Sequence, residues 1–475
     1  MDLAITDTQA LTMVDDGVGP LEDAAIGIDD GELVYVGPDE EFDPTQAEEV
    51  VDGSNRLVIP GLVDAHAHMR LTILRGGAQD VPEIEWMNRA LAPLARRLDE
   101  ADQILGARLG AIEAVRWGAT TVCEYSANVE TLVEEVYEPL GIRVVATETI
   151  NEIADDRDDL GPRDLPTLER DLGEAALERT ERLFERYADH DLVSVTYGPQ
   201  AVDMVSPETL REVARRSMRE GRDVHVHVAQ GERERLQVEE RYGENESAVS
   251  VLEDAGLANE RLLAAHLHDA TTDERKRLAD AGTRMVGCPS SIGAIDGIVP
   301  PVLEYLEHGG TVGLGTDQAP GSGRHDVLQE ARTAAMLTKC DRTDPRALPA
   351  WQALRLATVG GARALGIDDR VGTIEEGKRA DLALVDLDAM AMVPAVERPF
   401  RTAVPNLVYS AVGTAIDAVL VDGEFLVRSG EFLGEDTTAL SRRANDRARE
   451  VFEAATEDWR VAGSALVNDA DAGRL

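Results

Sequence analysis

Short apolar runs alternate with amphipathic segments over most of the chain. Runs of four to eight apolar residues predict buried strands at 57–64, 119–125, 142–149, 192–198, 223–229, 262–267, 283–288 and 311–316. Segments with a helical period follow them and predict helices at 100–117, 128–138, 167–188, 206–220, 246–256, 272–281, 300–308, 325–338 and 350–365. Eight βα units predict an α/β fold, a (β/α)8 TIM-like barrel whose functional side chains lie at the carboxyl ends of the strands.

The two ends of the chain follow a different pattern. Strand-like runs between Asp-Gly and Gly-Pro turns occur near the N-terminus at 24–28, 32–36 and 48–51, and near the C-terminus at 381–386, 415–423 and 424–427. Neither set is large enough to form a domain alone, so we expect a small β-sandwich domain built from both termini. The expected boundaries are 1–57 and 369–436 for this domain, 58–368 for the barrel, and 437–475 for an acidic helical segment.

Composition narrows the class of protein. The chain has 475 residues, 43% of them hydrophobic and only 4% aromatic, as is typical of a core of buried parallel strands. It has 91 acidic and 47 basic residues, a net charge of −44, and its lysines are Lys276, Lys339 and Lys378. This surface resembles that of a halophilic protein, and its charge disfavours binding to nucleic acid or to anionic membranes.

The number and spacing of the cysteines, together with hydropathy, predict the cellular compartment of the protein. Cys123, Cys288 and Cys340 are an odd number without paired spacing, which favours a reducing compartment. The first residues lack the pattern of a signal peptide, and no run of about 18 apolar residues occurs. We therefore expect a cytoplasmic protein with a small-molecule substrate; a homo-oligomer stays open.

Histidines cluster at the ends of the predicted strands. His66 and His68 end the first strand at positions i and i+2, which places both imidazoles on one face. Two neutral imidazoles on one face are suited to a divalent transition metal, most often zinc. Further pairs follow at His225 and His227 and at His266 and His268, and Asp317 follows the last strand. From spacing alone, either His225 or His227 can face the metal, and Asp317 can be a ligand or a capping residue.

Five motifs in order carry a resemblance to a known family. They are Pro60-Gly61-Leu62-Val63-Asp64-Ala65-His66-Ala67-His68, His225-Val226-His227, Ala265-His266, Gly313-Leu314-Gly315-Thr316-Asp317 and Gly372-Thr373-Ile374-Glu375-Glu376-Gly377-Lys378-Arg379-Ala380-Asp381-Leu382. Together they resemble the amidohydrolase superfamily, and most of all its branch of S-adenosylhomocysteine and methylthioadenosine deaminases and triazine chlorohydrolases. The resemblance extends to about residue 430.

The resemblance implies a site. It makes His66, His68, His227 and Asp317 the ligands of one divalent metal ion, with zinc expected and iron or manganese as alternatives. It makes Asp317 the proton shuttle and lets His266 contact the hydrolytic water or the substrate. Binuclear relatives carry a carboxylated lysine on the fourth strand, and residues 193–200 contain no lysine. A single metal is therefore expected.

This chain differs from that branch at residues that are expected to contact the substrate. Gln230 stands where the branch has a glutamate that protonates the substrate ring, and Gln200 stands where it has a histidine. An amide donates hydrogen bonds but cannot deliver a proton, so this role is lost or passes to another group, with His266 and His268 the nearest candidates. We expect the pocket to be shaped by loop residues that include Arg70 and Glu83, and candidate substrate-binding residues are Gln230, Gln200, His325, Arg75 and Trp86.

The predicted function is a metal-dependent hydrolase that acts on a non-peptide C–N bond of a small, cyclic, nitrogen-containing substrate. One alternative is a purine nucleoside or nucleobase deaminase, and another is displacement of chloride from a heteroaromatic ring. A barrel that has become a non-catalytic module is a third alternative, although none of the implied ligands is lost.

Overall fold

Seventeen strands form two sheets in the computed structural model, which describes residues 1–14, 16–154, 161 and 163–474. The strands are β1 (Leu3–Leu11), β2 (Pro20–Asp29), β3 (Glu32–Pro38), β4 (Glu49–Asp52), β5 (Arg56–Pro60), β6 (Leu62–Ala67), β7 (Ala119–Ser126), β8 (Arg143–Ile150), β9 (Val193–Pro199), β10 (Val224–Val228), β11 (Leu262–His266), β12 (Arg284–Gly287), β13 (Thr311–Leu314), β14 (Leu382–Asp386), β15 (Ile416–Val421), β16 (Glu424–Arg428) and β17 (Glu431–Phe432).

Helices of three kinds connect the strands. The α-helices are Glu83–Glu85, Ala92–Ala95, Glu100–Arg116, Val129–Leu132, Glu138–Leu140, Arg170–Arg186, Pro207–Glu220, Glu232–Tyr242, Ala248–Ala255, Thr272–Asp280, Pro289–Ile295, Val302–Glu307, Ala319–Ser322, Val327–Arg342, Ala350–Arg355, Gly361–Leu365, Ala403–Asn406, Thr437–Ala462 and Ala465–Asp471. The 3-10 helices are Asp39–Glu41, Pro44–Gln46, Met69–Leu74 and Val412–Ala415, and the π-helices are Trp86–Leu91, Val133–Tyr137, Leu356–Gly360 and Leu407–Ala411. In the part of the chain that the structure describes, no helix has both the length and the apolar character needed to cross a bilayer.

Strands β6 to β13 form the barrel. They are hydrogen-bonded in sequence order, and the adjacent pairs are parallel. The first and last strands meet at their carboxyl ends, where the Asp317 amide donates to the His66 carbonyl at 2.9 Å and the His68 amide donates to the Asp317 carbonyl at 2.8 Å. The predicted α/β barrel is confirmed, and its closure brings three candidate site residues to one point.

The chain termini jointly form a nine-stranded mixed sheet. Its order is β17-β16-β15-β14-β5-β1-β2-β3, and β4 pairs with β1. The predicted small β domain from both termini is thus confirmed, with its strands in one continuous sheet. Arg143 at the start of β8 joins this sheet to the barrel, because its buried guanidinium donates two 2.8 Å hydrogen bonds to the Asp381 carboxylate.

One predicted strand is wrong in its first half. The apolar run 57–64 is divided at Gly61 between β5, in the mixed sheet, and β6, in the barrel. A Cβ atom at Gly61 would lie 2.1 Å from Thr120 Oγ1, so a larger residue would not fit where the chain passes from one sheet to the other. An apolar run does not show such a change of sheet.

The C-terminal helix Thr437–Ala462 packs on the outside of the loop that follows β6. Arg447 pairs with the buried carboxylate of Asp102 at 2.6 and 2.8 Å, and the indole of Trp459 donates to the Ala90 carbonyl at 3.0 Å. Ala90 belongs to the π-helix Trp86–Leu91, so the end of the chain supports this part of the loop.

Candidate metal centre and cavity

Three histidine side chains meet inside the carboxyl end of the barrel. His66 lies on β6, His68 directly follows it, and His227 lies on β10. One ring nitrogen from each lies within 4.8 Å of the other two. The Nε2 atoms of His68 and His227 are 3.3 Å apart. The residues at i and i+2 on β6 therefore face one point, as their spacing predicts.

Backbone carbonyls orient two of these rings. Nδ1 of His68 lies 2.6 Å from the Tyr125 carbonyl oxygen, and Nδ1 of His227 lies 2.7 Å from the Gln200 carbonyl oxygen. Because a carbonyl only accepts, each Nδ1 carries the proton and each Nε2 directs its lone pair to the shared point. Burial lowers the pKa of His68 and lowers that of His227 to about 4, so both rings are neutral. Two lone pairs 3.3 Å apart repel each other, and a cation between them removes the repulsion.

His66 completes the set of nitrogen donors. Its Nε2 is fully buried and has no hydrogen-bond partner among the described residues, which is costly unless a ligand occupies that side of the ring. Its Nδ1 lies 3.0 Å from Nε2 of His225, whose Nδ1 lies 3.4 Å from Cys123 Sγ. His225 is thus behind His66, and His227 faces the common point. The donor set fits a divalent transition metal.

Asp317 brings a carboxylate to the histidines. Its Oδ1 lies 3.8 Å from Nε2 of His66 and 3.6 Å from Nε2 of His68. The hydroxyl of Ser291 donates to Oδ2 at 2.5 Å, which leaves Oδ1 directed towards the imidazoles. Burial raises the pKa of Asp317 to about 6. The residue has a positive φ of 59°, a backbone conformation that its closing contacts with β6 hold in place.

His266 lies at the side of the three histidines. Its ring is stacked on that of His227 with centroids 5.4 Å apart, and its buried Nδ1 has no hydrogen-bond partner within the described part of the chain. His268 lines the same cavity, where its Nε2 lies 3.3 Å from the Asp296 carboxylate. Both histidines can therefore meet a bound molecule.

A cavity of about 240 Å³ opens beside the histidines. Three of the predicted substrate-binding residues, Gln200, Gln230 and Trp86, line it together with His68, His227, His266 and Asp317. Other lining residues include Arg70, Glu83, Arg233, His268, Ser291 and Asp296. Sequence reasoning did not select Arg233 or Ser291 as site residues; both lie on helices.

The structure does not bring His325 and Arg75 to this cavity. His325 is fully buried behind the last strand, with Nε2 2.9 Å from Thr72 Oγ1 and Nδ1 2.7 Å from Thr316 Oγ1. Arg75 turns outward and pairs with Glu113 at 2.5 Å. Proximity in sequence to Asp317 and His68 suggested a substrate contact for each, but backbone direction places them elsewhere.

Asp64 and Thr316 connect the two strands that close the barrel. The buried Asp64 carboxylate accepts hydrogen bonds from the Thr316 amide at 2.9 Å and from its hydroxyl at 2.6 Å. Burial raises the pKa of Asp64 to about 7. Because Thr316 precedes Asp317 and also contacts His325, this network holds Asp317 in register with His66.

Comparison with known proteins agrees with this geometry. Residues 57–426 match the model of the amidohydrolase family. The chain is 33% identical over 423 residues to a 5-methylthioadenosine/S-adenosylhomocysteine deaminase of Moorella thermoacetica, covering 89% of this chain and 94% of that protein. An adenosine deaminase from Xanthomonas campestris, solved with bound zinc, is 28% identical with a TM-score of 0.84, and the match covers 94% of this chain and 99% of that one.

The barrel and its sheet are also similar in fold to a more distant structure. The atrazine chlorohydrolase of Arthrobacter aurescens, solved with zinc, has a TM-score of 0.80 at 24% identity, and the match covers 94% of this chain and 100% of that one. The family match includes all of β6 to β13 and thus every residue of the histidine cluster. The chain therefore belongs to the amidohydrolase family.

Proposed function

We propose that the protein is a metal-dependent hydrolase that cleaves a non-peptide C–N bond of a small, cyclic, nitrogen-containing molecule. The observation that carries the proposal is the buried, unpartnered Nε2 of His66 beside the facing Nε2 atoms of His68 and His227, at the wall of a cavity. The names of the similar proteins, which describe deaminases, support C–N hydrolysis as the reaction class.

The proposed cofactor is one divalent metal ion, with zinc preferred and iron or manganese as alternatives. His66, His68, His227 and Asp317 would hold it, because their donor atoms surround one point and their other polar atoms are already engaged or buried. Such an ion, when bound, lowers the pKa of water towards about 7. Zinc in the similar adenosine deaminase structure supports the choice of metal.

Side chains of the protein would transfer protons and stabilise developing charge during the reaction. Ser291 donates a hydrogen bond to Oδ2 of Asp317, so Oδ1 is directed towards the proposed metal. The Asp317 carboxylate would accept the proton of the attacking water and later return it to the leaving nitrogen. His266, with its Nδ1 free of protein partners in the described residues, would hydrogen-bond to the oxygen or nitrogen on which charge develops. Trp86 and Leu91 form an apolar part of the cavity wall and reduce the access of bulk water.

Release of ammonia is the experiment that tests this function. Zinc-loaded protein in molar salt is incubated with purine nucleosides, nucleobases, pyrimidines and aminotriazines, and ammonia is followed with a coupled dehydrogenase assay. We expect turnover of at least one amino-substituted heterocycle, and none after removal of the metal by a chelator. Absence of turnover on the whole panel by protein that contains one zinc per chain would refute C–N hydrolysis of this substrate class.

Gln230→Glu is expected to raise kcat/KM for purine nucleosides. The Gln230 side chain lines the cavity and offers an amide, whereas a carboxyl group there could protonate a ring nitrogen as water adds. General acid catalysis of this kind contributes about 100-fold or more, so we expect a gain of roughly ten- to a hundredfold. The measurement is the ammonia assay on adenosine derivatives, with Gln352→Glu, on the helix Ala350–Arg355 outside this cavity, as the control. A loss of activity in Gln230→Glu would mean that the amide itself is required.

High salt is expected to stabilise the protein. Ninety-one acidic residues against 47 basic ones give a net charge of −44, and this charge repels itself in the compact state. Raising KCl from about 0.2 M to about 2 M shortens the Debye length to a few ångström, so we expect Tm to rise by on the order of 10 °C. Thermal melting with glycerol at matched osmolality is the control, and an unchanged or lower Tm in KCl would refute adaptation to salt.

A further inference from the structure

Arg70 is a cationic side chain in the cavity that has no ion-pair partner among the residues that the structure describes. We propose that Arg70 binds a planar anionic group of the substrate, a carboxylate or a ring oxyanion, close to the reacting carbon. This inference rests on the proposed function, because it specifies which nitrogen heterocycles the enzyme accepts.

The guanidinium of Arg70 is left without partners. Among the described residues it donates no hydrogen bond and has no carboxylate oxygen within 4.0 Å, and its Nε is shielded from solvent. Glu124 attracts it from a greater distance, but the Glu124 carboxylate already accepts from the Tyr137 hydroxyl at 2.6 Å and the Met69 amide at 3.1 Å. A guanidinium stays charged even when burial lowers its pKa, so a partly buried unpaired one is unfavourable until an anion arrives.

The backbone presents Arg70 from a fixed position. The residue lies two positions after His68, in the 3-10 helix Met69–Leu74. A Cβ atom at Gly106 would lie 2.2 Å from the Arg70 carbonyl oxygen, so the helix Glu100–Arg116 packs directly against this turn. Thr72 closes the turn with a 2.7 Å hydrogen bond to the Met69 carbonyl. The Arg70 backbone is therefore fixed two positions after His68, and both side chains line the cavity. An anionic group bound to Arg70 would share this cavity with the proposed metal.

A second guanidinium and the amide at Gln230 agree with an anionic ligand. Arg233 lines the same cavity; its Nη1 donates to Asp203 at 2.5 Å, whereas its buried Nη2 has no partner in the described residues. The Gln230 side chain in the cavity lining is a neutral amide and adds no negative charge that would repel an anion. Planar guanidinium groups bind carboxylates through two parallel N–H···O hydrogen bonds, a geometry that lysine cannot supply.

Binding of two matched ligands tests the proposal. Zinc-loaded protein in molar KCl is titrated calorimetrically with pyrimidine-5-carboxylate and with the neutral 5-acetylpyrimidine, which has a similar size and no C–N bond outside the ring. We expect the carboxylate to bind about tenfold more tightly, as one charge-assisted bidentate contact predicts. Arg70→Gln is expected to abolish this preference, and Arg70→Lys to retain less than about half of it in free energy. Arg89→Gln, an exposed arginine of the neighbouring π-helix, is expected to keep the full preference.

Several results would overturn the proposal. These are equal binding of the two ligands to the unaltered protein, no saturable binding of either, or a preference that survives in Arg70→Gln and so comes from the metal or from Arg233. Zinc content and thermal melting check that each variant is folded. If Arg70→Gln does not fold, the ligand preference of Arg70→Lys tests the proposal instead. Failure of the proposed function alone would look different: the carboxylate preference would persist in a protein that releases no ammonia from any heterocycle.

Discussion

His66→Ala is expected to remove both the metal and the activity. The variant takes away one of the three imidazoles whose nitrogens surround the common point, and it leaves a set of two histidines and one carboxylate. We expect less than about one tenth of an equivalent of metal per chain and a fall in kcat/KM of at least roughly 10⁴-fold, because the activated water is lost with the ion. Elemental analysis of protein purified in molar salt without added metal, followed by the ammonia assay, checks both numbers.

His308→Ala provides the matched control for this variant. His308 lies at the end of the helix Val302–Glu307, outside the cavity, with Nε2 3.6 Å from Glu304. Its metal content and activity should equal those of the unaltered protein. If His66→Ala retained a full equivalent of metal, the metal site would lie elsewhere. Two equivalents in the unaltered protein would refute the single-metal prediction that the lysine-free fourth strand supports.

Asp317→Asn is expected to reduce kcat by about 10³- to 10⁴-fold while the three histidines continue to bind metal. The amide has the size of the carboxylate and can accept the hydrogen bond from Ser291, so the barrel closure should persist. What is lost is the group that accepts the proton from water, whose contribution is of order 10² to 10⁴, together with part of the ligand field. Asp341→Asn, on the exposed end of the helix Val327–Arg342, is the control.

Zinc content and kcat, measured together, show why Asp317→Asn loses activity. Reduced kcat at saturating zinc with near-normal zinc content would assign the loss to proton transfer. A rate within tenfold of the unaltered protein, at equal zinc content, would mean that another group moves the proton. Glu83 would then become the next residue to test, since it lines the same cavity and burial raises its pKa.

Regular alternation made the barrel predictable, and irregular backbone hid parts of the mixed sheet. All eight barrel strands lie within or next to the predicted runs, because parallel strands buried on both faces are continuous apolar segments. Strand β1 was missed although it is central to the mixed sheet. Its pairing with β2 shifts register twice, near Thr8, and Asp7 has a positive φ, so its side chains do not alternate as an ideal strand requires.

The candidate site likewise contains residues that the sequence predicted and residues that only the structure reveals. His66 and His68 could be found because they lie at the carboxyl end of a barrel strand, two positions apart and on one face. The choice of His227 over His225, and of Asp317 as a ligand, came from the resemblance to the amidohydrolase superfamily. His325 could not be placed, because a turn residue after Asp317 can face either the cavity or the barrel wall, and two threonine hydroxyls hold it at the wall. Arg233 and Ser291 reach the cavity from helices, and only the three-dimensional packing shows that their side chains point inward.

The C-terminal helix extends the determinants of substrate choice to the outer surface of the molecule. Its Trp459 holds Ala90, and Ala90 shares the π-helix that carries Trp86 into the cavity wall. A substitution at Trp459 can therefore reshape the pocket without touching any residue that meets the substrate. In directed evolution of this chain, libraries confined to the cavity lining would omit an independent route to altered selectivity, one that leaves the metal ligands and the proton shuttle intact.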